Sequence, residues 1–317
     1  MDEHAIRQAL AMPEELFRKN PASAATCPRD QGVAVAGLLA ISNHCRNNCD
    51  YCGLRVRNDR VPRYRLSLDE IKAALDGVAQ HGIRRLFMIS GEDPQVEIGV
   101  LLKAVDYAAT QGLSVMLGLG IYPASTYAAF RDAGAELYAL KFETSNPEIF
   151  SSLRDDITLA ERMTAITDVR SSGLKLGSGN IVGLPGETLD DIARDIALMR
   201  DLDISWAPIV PYMPAPNTPL GARQSMGSVD LLLREIALVR YLLPDALITA
   251  GQPTQGSSRG FADPQGTRDA LRAGANLLFV DLTPKPRKDD FAITQNRYLP
   301  RLAEIEQVLA DCGLRRE

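Results

Sequence analysis

One pattern recurs along the chain. A polar, helix-like segment ends in glycine, and a short apolar run follows within a few residues. The glycines are Gly82, Gly112, Gly134, Gly173 and Gly274. The runs after them read RRLFMIS, SVMLGLG, ELYALKFE, KLGSGNIVG and NLLFVD. Glycine is favoured just past a helix end because that position often needs φ > 0. The runs lack long polar alternation, which suits strands buried on both faces of a parallel sheet. Helices alternating with such strands argue βαβ units.

Helix starts agree with this reading. Ser67-Leu-Asp-Glu70 and Thr188-Leu-Asp-Asp191 are capping boxes. Asn146 precedes Pro147, a cap followed by a proline at the first helical position. Ser228 can cap a helix that runs to Leu243 and stops at Pro244. Strands are predicted at 33–42, 85–90, 114–119, 136–143, 175–182, 206–212, 246–251 and 276–281. Eight such units predict an α/β fold, a single (β/α)8 TIM-type barrel over residues 31–317, with a short N-terminal helical extension over 1–30. An open doubly wound sheet is the alternative.

Composition narrows the function. The chain has 317 residues, 45% of them hydrophobic, which suits one large domain. Lys and Arg number 35 against 40 Asp and Glu, a net charge of -5. Such a chain is not built to track a phosphate backbone, so no nucleic-acid partner is expected. The longest apolar stretch, 32–41, is too short to span a bilayer. The opening MDEHAIRQAL carries acids and no apolar run, unlike a secretory leader. The expectation is a cytoplasmic protein with no membrane partner.

Five cysteines stand at Cys27, Cys45, Cys49, Cys52 and Cys312. Three within eight residues do not read as a disulfide framework. Cys45-Arg-Asn-Asn-Cys49-Asp-Tyr-Cys52 follows the first strand directly, at the barrel end that carries chemistry. A tetrahedral zinc site normally takes four ligands, often as separated pairs. A [4Fe–4S] cluster has four irons and normally four Cys ligands, so three thiolates leave one iron open for a small molecule. Zinc completed by His44, Cys27 or Cys312 is the alternative.

C-x3-C-x2-C with an aromatic just before the last Cys resembles the signature of the radical S-adenosylmethionine (SAM) superfamily. The resemblance implies an enzyme with two cofactors, a [4Fe–4S] cluster on Cys45, Cys49 and Cys52, and SAM. The open iron would be chelated by the SAM amino and carboxylate groups. An external one-electron donor of flavodoxin or ferredoxin type would then drive cleavage of SAM to a 5′-deoxyadenosyl radical, which acts on a small-molecule substrate. The protein's part is to bind, orient and exclude side reactions.

Companion stretches extend the resemblance. Ser90-Gly91-Glu92-Asp93-Pro94 is similar to a family stretch whose backbone carbonyls meet the SAM amino group, with Ser90 in place of a first Gly. Read alone, it is an ordinary turn with acids near a helix start. Glu143 matches an acid that contacts the SAM ribose or amino group. Arg162 matches an Arg that pairs with the SAM carboxylate; from the residues alone, a solvated helix face is the alternative. The 179–187 stretch, GNIVGLPGE, resembles the fifth-strand motif along adenine, with Ile181 and Gly183 as the contacts. Tyr51 resembles the aromatic that reaches adenine from the cysteine loop.

Over roughly residues 33 to 284 the resemblance narrows to the group of [FeFe]-hydrogenase maturase HydE, methylornithine synthase and biotin synthase. The stretches are 41–55, 90–94, 143–147, 179–188, 214–220 and the run PRYRLS at 62–67. Biotin synthase needs further cysteines for a second cluster, and only Cys27 and Cys312 remain. The 249–256 stretch TAGQPTQG lacks an acid and leans toward HydE. The 281–288 stretch DLTPKPRK is more charged than HydE implies. Three functions are carried forward. They are a HydE-type maturase, an amino-acid carbon-skeleton mutase like methylornithine synthase, and a non-catalytic metal-binding protein.

Lys141 and Glu143 lie two apart on one predicted strand and so share a face. A lysine inside a barrel is costly unless it meets a charge. It can pair with Glu143 or Asp281, or, with Arg287 at the barrel mouth, hold an anionic substrate group. Tyr212 and Thr249 are expected to complete that pocket.

Overall fold

The computed structural model describes residues 1–24, 32–76, 78, 81–285 and 287–317. Its wall is an eight-stranded parallel sheet. The strands are β1 (Ala34–Ser42), β2 (Arg85–Ser90), β3 (Ser114–Gly118), β4 (Ala135–Ala139), β5 (Lys175–Gly177), β7 (Trp206–Ala207), β9 (Leu247–Ile248) and β10 (Leu277–Asp281). β10 pairs with β1 at one edge, and a parallel bridge between Thr249 and Leu277 joins the other edge back to β10. The ring is closed, as the (β/α)8 reading requires.

Helices α3 (Leu68–Leu75), α4 (Ile98–Thr110), α5 (Ala124–Asp132), α6 (Pro147–Leu153), α7 (Leu159–Ser171), α8 (Leu189–Asp201), α9 (Val229–Leu242) and α10 (Pro264–Arg272) connect the strands. The caps read from sequence are present at Ser67, Asn146, Thr188 and Ser228. A further capping box, Thr158 with Glu161, starts α7. The glycine of each repeat has φ between 66° and 111°, a conformation a side chain would resist. Before the barrel, α1 (Glu3–Leu10) buries Ile6 and Leu10 and packs against α8, and α2 (Glu14–Phe17) buries Phe17.

The lumen is packed by alternating large and small residues. A Cβ on Gly118 would come within 2.8 Å of the Phe87 ring, and one on Gly177 within 2.9 Å of the Trp206 ring. The space those glycines leave is filled by Phe87, Trp206 and Phe279, whose ring centroids lie 4.9 to 5.8 Å apart. This aromatic layer is the floor of a cavity that opens at the C-terminal ends of the strands.

Two strands differ from expectation. The predicted 175–182 and 206–212 runs each break in two. β6 (Ile181–Val182) and β8 (Val210–Pro211) pair only with each other, apart from the eight-stranded ladder. The Ser178 N–H still donates to Trp206 O at 3.0 Å, but Asn180 then pairs with Glu143. Pro208 has no N–H to extend the ladder on the other strand. The predicted 136–143 strand likewise ends at Ala139, and Glu143 takes a φ of 68°.

Behind this break lies a group of buried acids. Asp195 accepts from Ser145 N at 2.6 Å and Asn180 Nδ2 at 3.0 Å, and Glu187 accepts from Gly183 N at 2.6 Å. Neither Glu235 carboxylate oxygen has a donor. Burial pushes Asp195 up to about 7, Glu187 up to about 8, and Glu235 well above the carboxylate range. Acids held neutral by the fold contribute stability that is complete below their unfolded pKa, about 4. That stability is lost as pH rises through the folded values. The melting temperature should therefore fall between pH 6 and pH 9, and Glu187→Gln should flatten the fall. A melting temperature that holds or rises over that interval in the parent protein would contradict this burial account.

Candidate active site

The cysteines sit on the loop after β1, which is tied down by groups from other parts of the chain. The Arg63 guanidinium donates to the carbonyls of Asn43 (2.6 Å), Leu54 (2.9 Å), Arg55 (2.7 Å) and Asn58 (3.0 Å). Tyr64 N donates to Asn43 Oδ1 at 2.7 Å, and Tyr64 Oη to Ala40 O at 3.0 Å. Arg65 forks onto Asp93 at 2.7 and 2.8 Å, and Asp93 also accepts from Ser42 Oγ at 2.6 Å. The PRYRLS run thus acts as a brace linking the first and second strand ends.

The loop lies so close to its neighbours that two positions admit no side chain. A Cβ on Gly91 would stand 2.2 Å from His44 O, and one on Gly53 2.0 Å from Ala292 O. Glu92 locks the contact from the other side. Its carbonyl accepts from Arg46 N at 2.9 Å, and its carboxylate accepts from Asn47 Nδ2 and Ile121 N.

Cys45, Cys49 and Cys52 all border the cavity, whose volume is about 380 Å³. Burial pushes all three thiols up, Cys49 to about 12. Buried Arg154, forked on Asp156, opposes this at Cys45 and Cys49. Cys312 is elsewhere, at the C-terminal end of α12 (Leu302–Asp311). Cys27 lies outside the described residues. Among the described residues, no three His, Cys, Asp or Glu side chains converge on a point where a single metal ion could sit. The three thiols line one cavity, and a [4Fe–4S] cluster would take them on three of its irons.

Around the thiols stand Tyr51, Ser90, Gly91, Glu92, Lys141, Glu143, Arg162, Ile181, Tyr212 and Thr249, all expected from sequence. Glu143 is in left-handed backbone, which costs a non-glycine residue about 1–3 kcal/mol. It is held there by Glu143 N donating to Gly179 O (3.1 Å) and Ile181 N donating to Glu143 O (2.9 Å). Lys141 Nζ lies 3.2 Å from Glu143 Oε2, so of the two pairings anticipated for Lys141, Glu143 is the partner. Arg162, on the buried side of α7, donates from Nε to Lys141 O at 2.8 Å, which leaves its terminal nitrogens for the cavity. Tyr212 Oη is buried without a hydrogen-bond partner, and Glu143 Oε2 has only its ion pair with Lys141. Unsatisfied buried groups on a cavity wall are what a polar ligand would complete.

Residues 39–199 match the family model for the radical SAM superfamily. The chain belongs to the radical SAM superfamily. It is 36% identical over 254 residues to the [FeFe] hydrogenase maturase subunit HydE of Thermotoga maritima, covering 80% of this chain and 71% of that one. It is 26% identical over 276 residues to 3-methylornithine synthase of Methanosarcina acetivorans, covering 86% and 76%. The crystal structure of methylornithine synthase superposes with a TM-score of 0.85 at 22% identity, over 99% of this chain and 94% of the other, which shows the shared fold. This radical SAM protein is an enzyme, and its cofactors are a [4Fe–4S] cluster and SAM. Among the described residues, no helix is long and apolar enough to cross a membrane.

The radical SAM cavity also departs from expectation. Gly183 is not on its wall; a Cβ there would strike Gly227 Cα at 2.4 Å, so this glycine serves backbone packing. Arg287 is not on the wall either. It lies over the Tyr64 ring, 5.6 Å from the centroid. Asp281 is buried behind the wall, paired with Arg297 at 3.6 Å. The reading from sequence missed Arg63, Arg154, Trp206 and Arg297. Only Arg63 carried a signal, as part of the PRYRLS run.

Gly91→Ala should force the cysteine loop off β2, at a cost of about 1–3 kcal/mol. After anaerobic reconstitution it should retain well under half the iron of the parent protein, and Cys312→Ala should retain all of it. Full iron in Gly91→Ala would show that the close approach of His44 O is not needed.

Proposed function

We propose that this radical SAM enzyme is a HydE-type maturase acting on a small anionic precursor of the [FeFe]-hydrogenase cofactor. The observation that carries this is the 36% identity to HydE across 80% of the chain. The cavity supports it. The cavity of this acidic protein is lined by Lys141, Arg154, Arg162 and Arg297 as well as by the carboxylates of Glu92 and Glu143.

Under this reading Cys45, Cys49 and Cys52 hold the cluster and leave one iron for SAM. The bound cluster would supply the one-electron reduction that SAM cleavage needs. The chain's own residues do the rest. The Ser90 and Gly91 backbone and Glu143 take the amino or ribose groups, and Arg162 takes the carboxylate with its two free nitrogens. Tyr51 and Ile181 flank the adenine. Phe87, Trp206 and Phe279 keep water from the reacting carbon, and Lys141, Tyr212 and Thr249 face the substrate. The reductant is a flavodoxin or ferredoxin. The enzyme works in the cytoplasm without nucleic acid or membrane.

A second reading, an amino-acid carbon-skeleton mutase, is favoured by the 26% identity to 3-methylornithine synthase over 86% of the chain. The deciding experiment adds the purified, reconstituted protein to a hydrogenase maturation extract lacking HydE. Recovery of hydrogenase activity supports the first reading. No recovery, with 3-methylornithine formed instead, supports the second.

Arg162→Ala should weaken SAM binding by about 2 kcal/mol or more, the loss expected for the partner of a desolvated carboxylate. Calorimetric titration of SAM into the reconstituted protein measures it. An unchanged affinity would reduce Arg162 to a prop for the Lys141 carbonyl.

A further inference from the structure

Arg297 is a buried charge on the cavity lining with no hydrogen bond among the described residues. Its side chain is 7% exposed, it borders the cavity, and its guanidinium lies over the Phe291 ring, 4.8 Å from the centroid. Its contact with Asp281 Oδ2, at 3.6 Å, is too long for a hydrogen bond. Among the described residues it has no other ion pair. Asp281 Oδ2 has no donor of its own, and Oδ1 accepts from Thr283 N at 2.9 Å. Thr294 Oγ1, on the same wall, is buried without a partner.

A buried charge is costly unless it is both paired and hydrogen-bonded. Arginine cannot relieve that cost by losing its proton. Here burial pulls the Arg297 pKa down and Asp281 pushes it back up. One carboxylate, at a distance, leaves most of the guanidinium's donors unused. The Phe291 ring beneath the guanidinium cannot accept an in-plane hydrogen bond from them. The group that would complete this site is a forked anion entering from the cavity. A carboxylate matches the guanidinium's planar fork with two parallel hydrogen bonds, which a lysine could not offer. Asp281 ends β10 and is buried behind the cavity lining rather than on it. It orients the guanidinium from behind.

We propose that Arg297, held by Asp281, is the anchor for a carboxylate on the small substrate. The proposal rests on reading this cavity as the site of radical chemistry. It places the substrate anion at a residue on the chain's return across the barrel mouth, where the sequence pointed to Arg287. A substrate analogue lacking its carboxylate would lose this contact and be discriminated against.

Trp206 is the chain's single tryptophan and borders the same cavity, so it reports on anions entering it. The experiment titrates iodide, an anionic quencher, into the full-length protein carrying its cluster while exciting tryptophan. Caesium serves as the cationic control and acetate as the competing carboxylate. In the parent protein iodide quenching should saturate, exceed that by caesium, and be relieved by acetate. In Arg297→Gln the apparent iodide affinity should fall about thirtyfold or more, the loss expected for one charge partner of a desolvated anion. Arg287→Gln, on the same return segment but off the wall, should quench like the parent. Arg297→Gln leaves Asp281 buried alone, so the double variant Asp281→Asn/Arg297→Gln removes both charges and should show the same loss. Saturable, acetate-sensitive quenching that survives in either variant would overturn the proposal, as would its absence from the parent. SAM cleavage is assayed on the same parent preparation. If the quenching behaves as expected and SAM is not cleaved, the carboxylate site stands and the radical reading falls.

Discussion

Four backbone carbonyls of the cysteine loop converge on one guanidinium, that of Arg63. The loop between β1 and the PRYRLS run has no helix or strand to satisfy its backbone, and buried carbonyls without donors are expensive. A single planar cation with several N–H groups answers several of them at once. Tyr64 and Arg65, the next two residues in sequence, fasten the same segment to β1 and to Asp93 after β2. The contact is close enough that Gly91 and Gly53 have no room for a Cβ. The positions of Cys45, Cys49 and Cys52 on the cavity wall follow from this brace.

The second half of the cavity depends on a different device. The barrel ladder ends early at β5 and β7, and Glu143 is turned by a positive φ so that its carboxylate faces Lys141 in the cavity. Arg162 supports the same turn from outside through the Lys141 carbonyl. Strain of about 1–3 kcal/mol at Glu143 is tolerable because two backbone hydrogen bonds to the Gly179–Ile181 segment over-determine it. Thiol loop and acid–base pair are thus placed by separate elements and meet only across the cavity.

Much of this was legible in the chain itself. The glycine at each helix end, the capping residues and the apolar runs all report local backbone physics, and they predicted the barrel's strand order. The cysteine loop was legible because it follows a strand the pattern located, whereas Glu143, four residues beyond the end of β4, was singled out by the family resemblance. The break in the fifth and sixth strands was not legible, because it depends on Asn180 leaving one neighbour for Glu143, a choice between partners far apart in sequence. That Arg297 and not Arg287 reaches the cavity was illegible for the same reason. Both follow β10 in a segment without periodicity, and nothing in the order of its residues says which arginine turns back over the barrel. Gly183 looked like a ligand contact because glycine permits close approach, and here the approaching group is the Gly227 backbone.

The central claim is that three cysteines on one braced loop present a cluster with one open iron to a cavity that also binds SAM. Electron paramagnetic resonance of the reduced, reconstituted protein, with and without SAM, tests it most directly, since a ligand arriving at a cluster iron alters the spectrum of that cluster. The account predicts one [4Fe–4S] signal whose g-values shift on addition of SAM. A signal from the same cluster that saturating SAM leaves unchanged would mean that no iron is open to it, and would contradict the account.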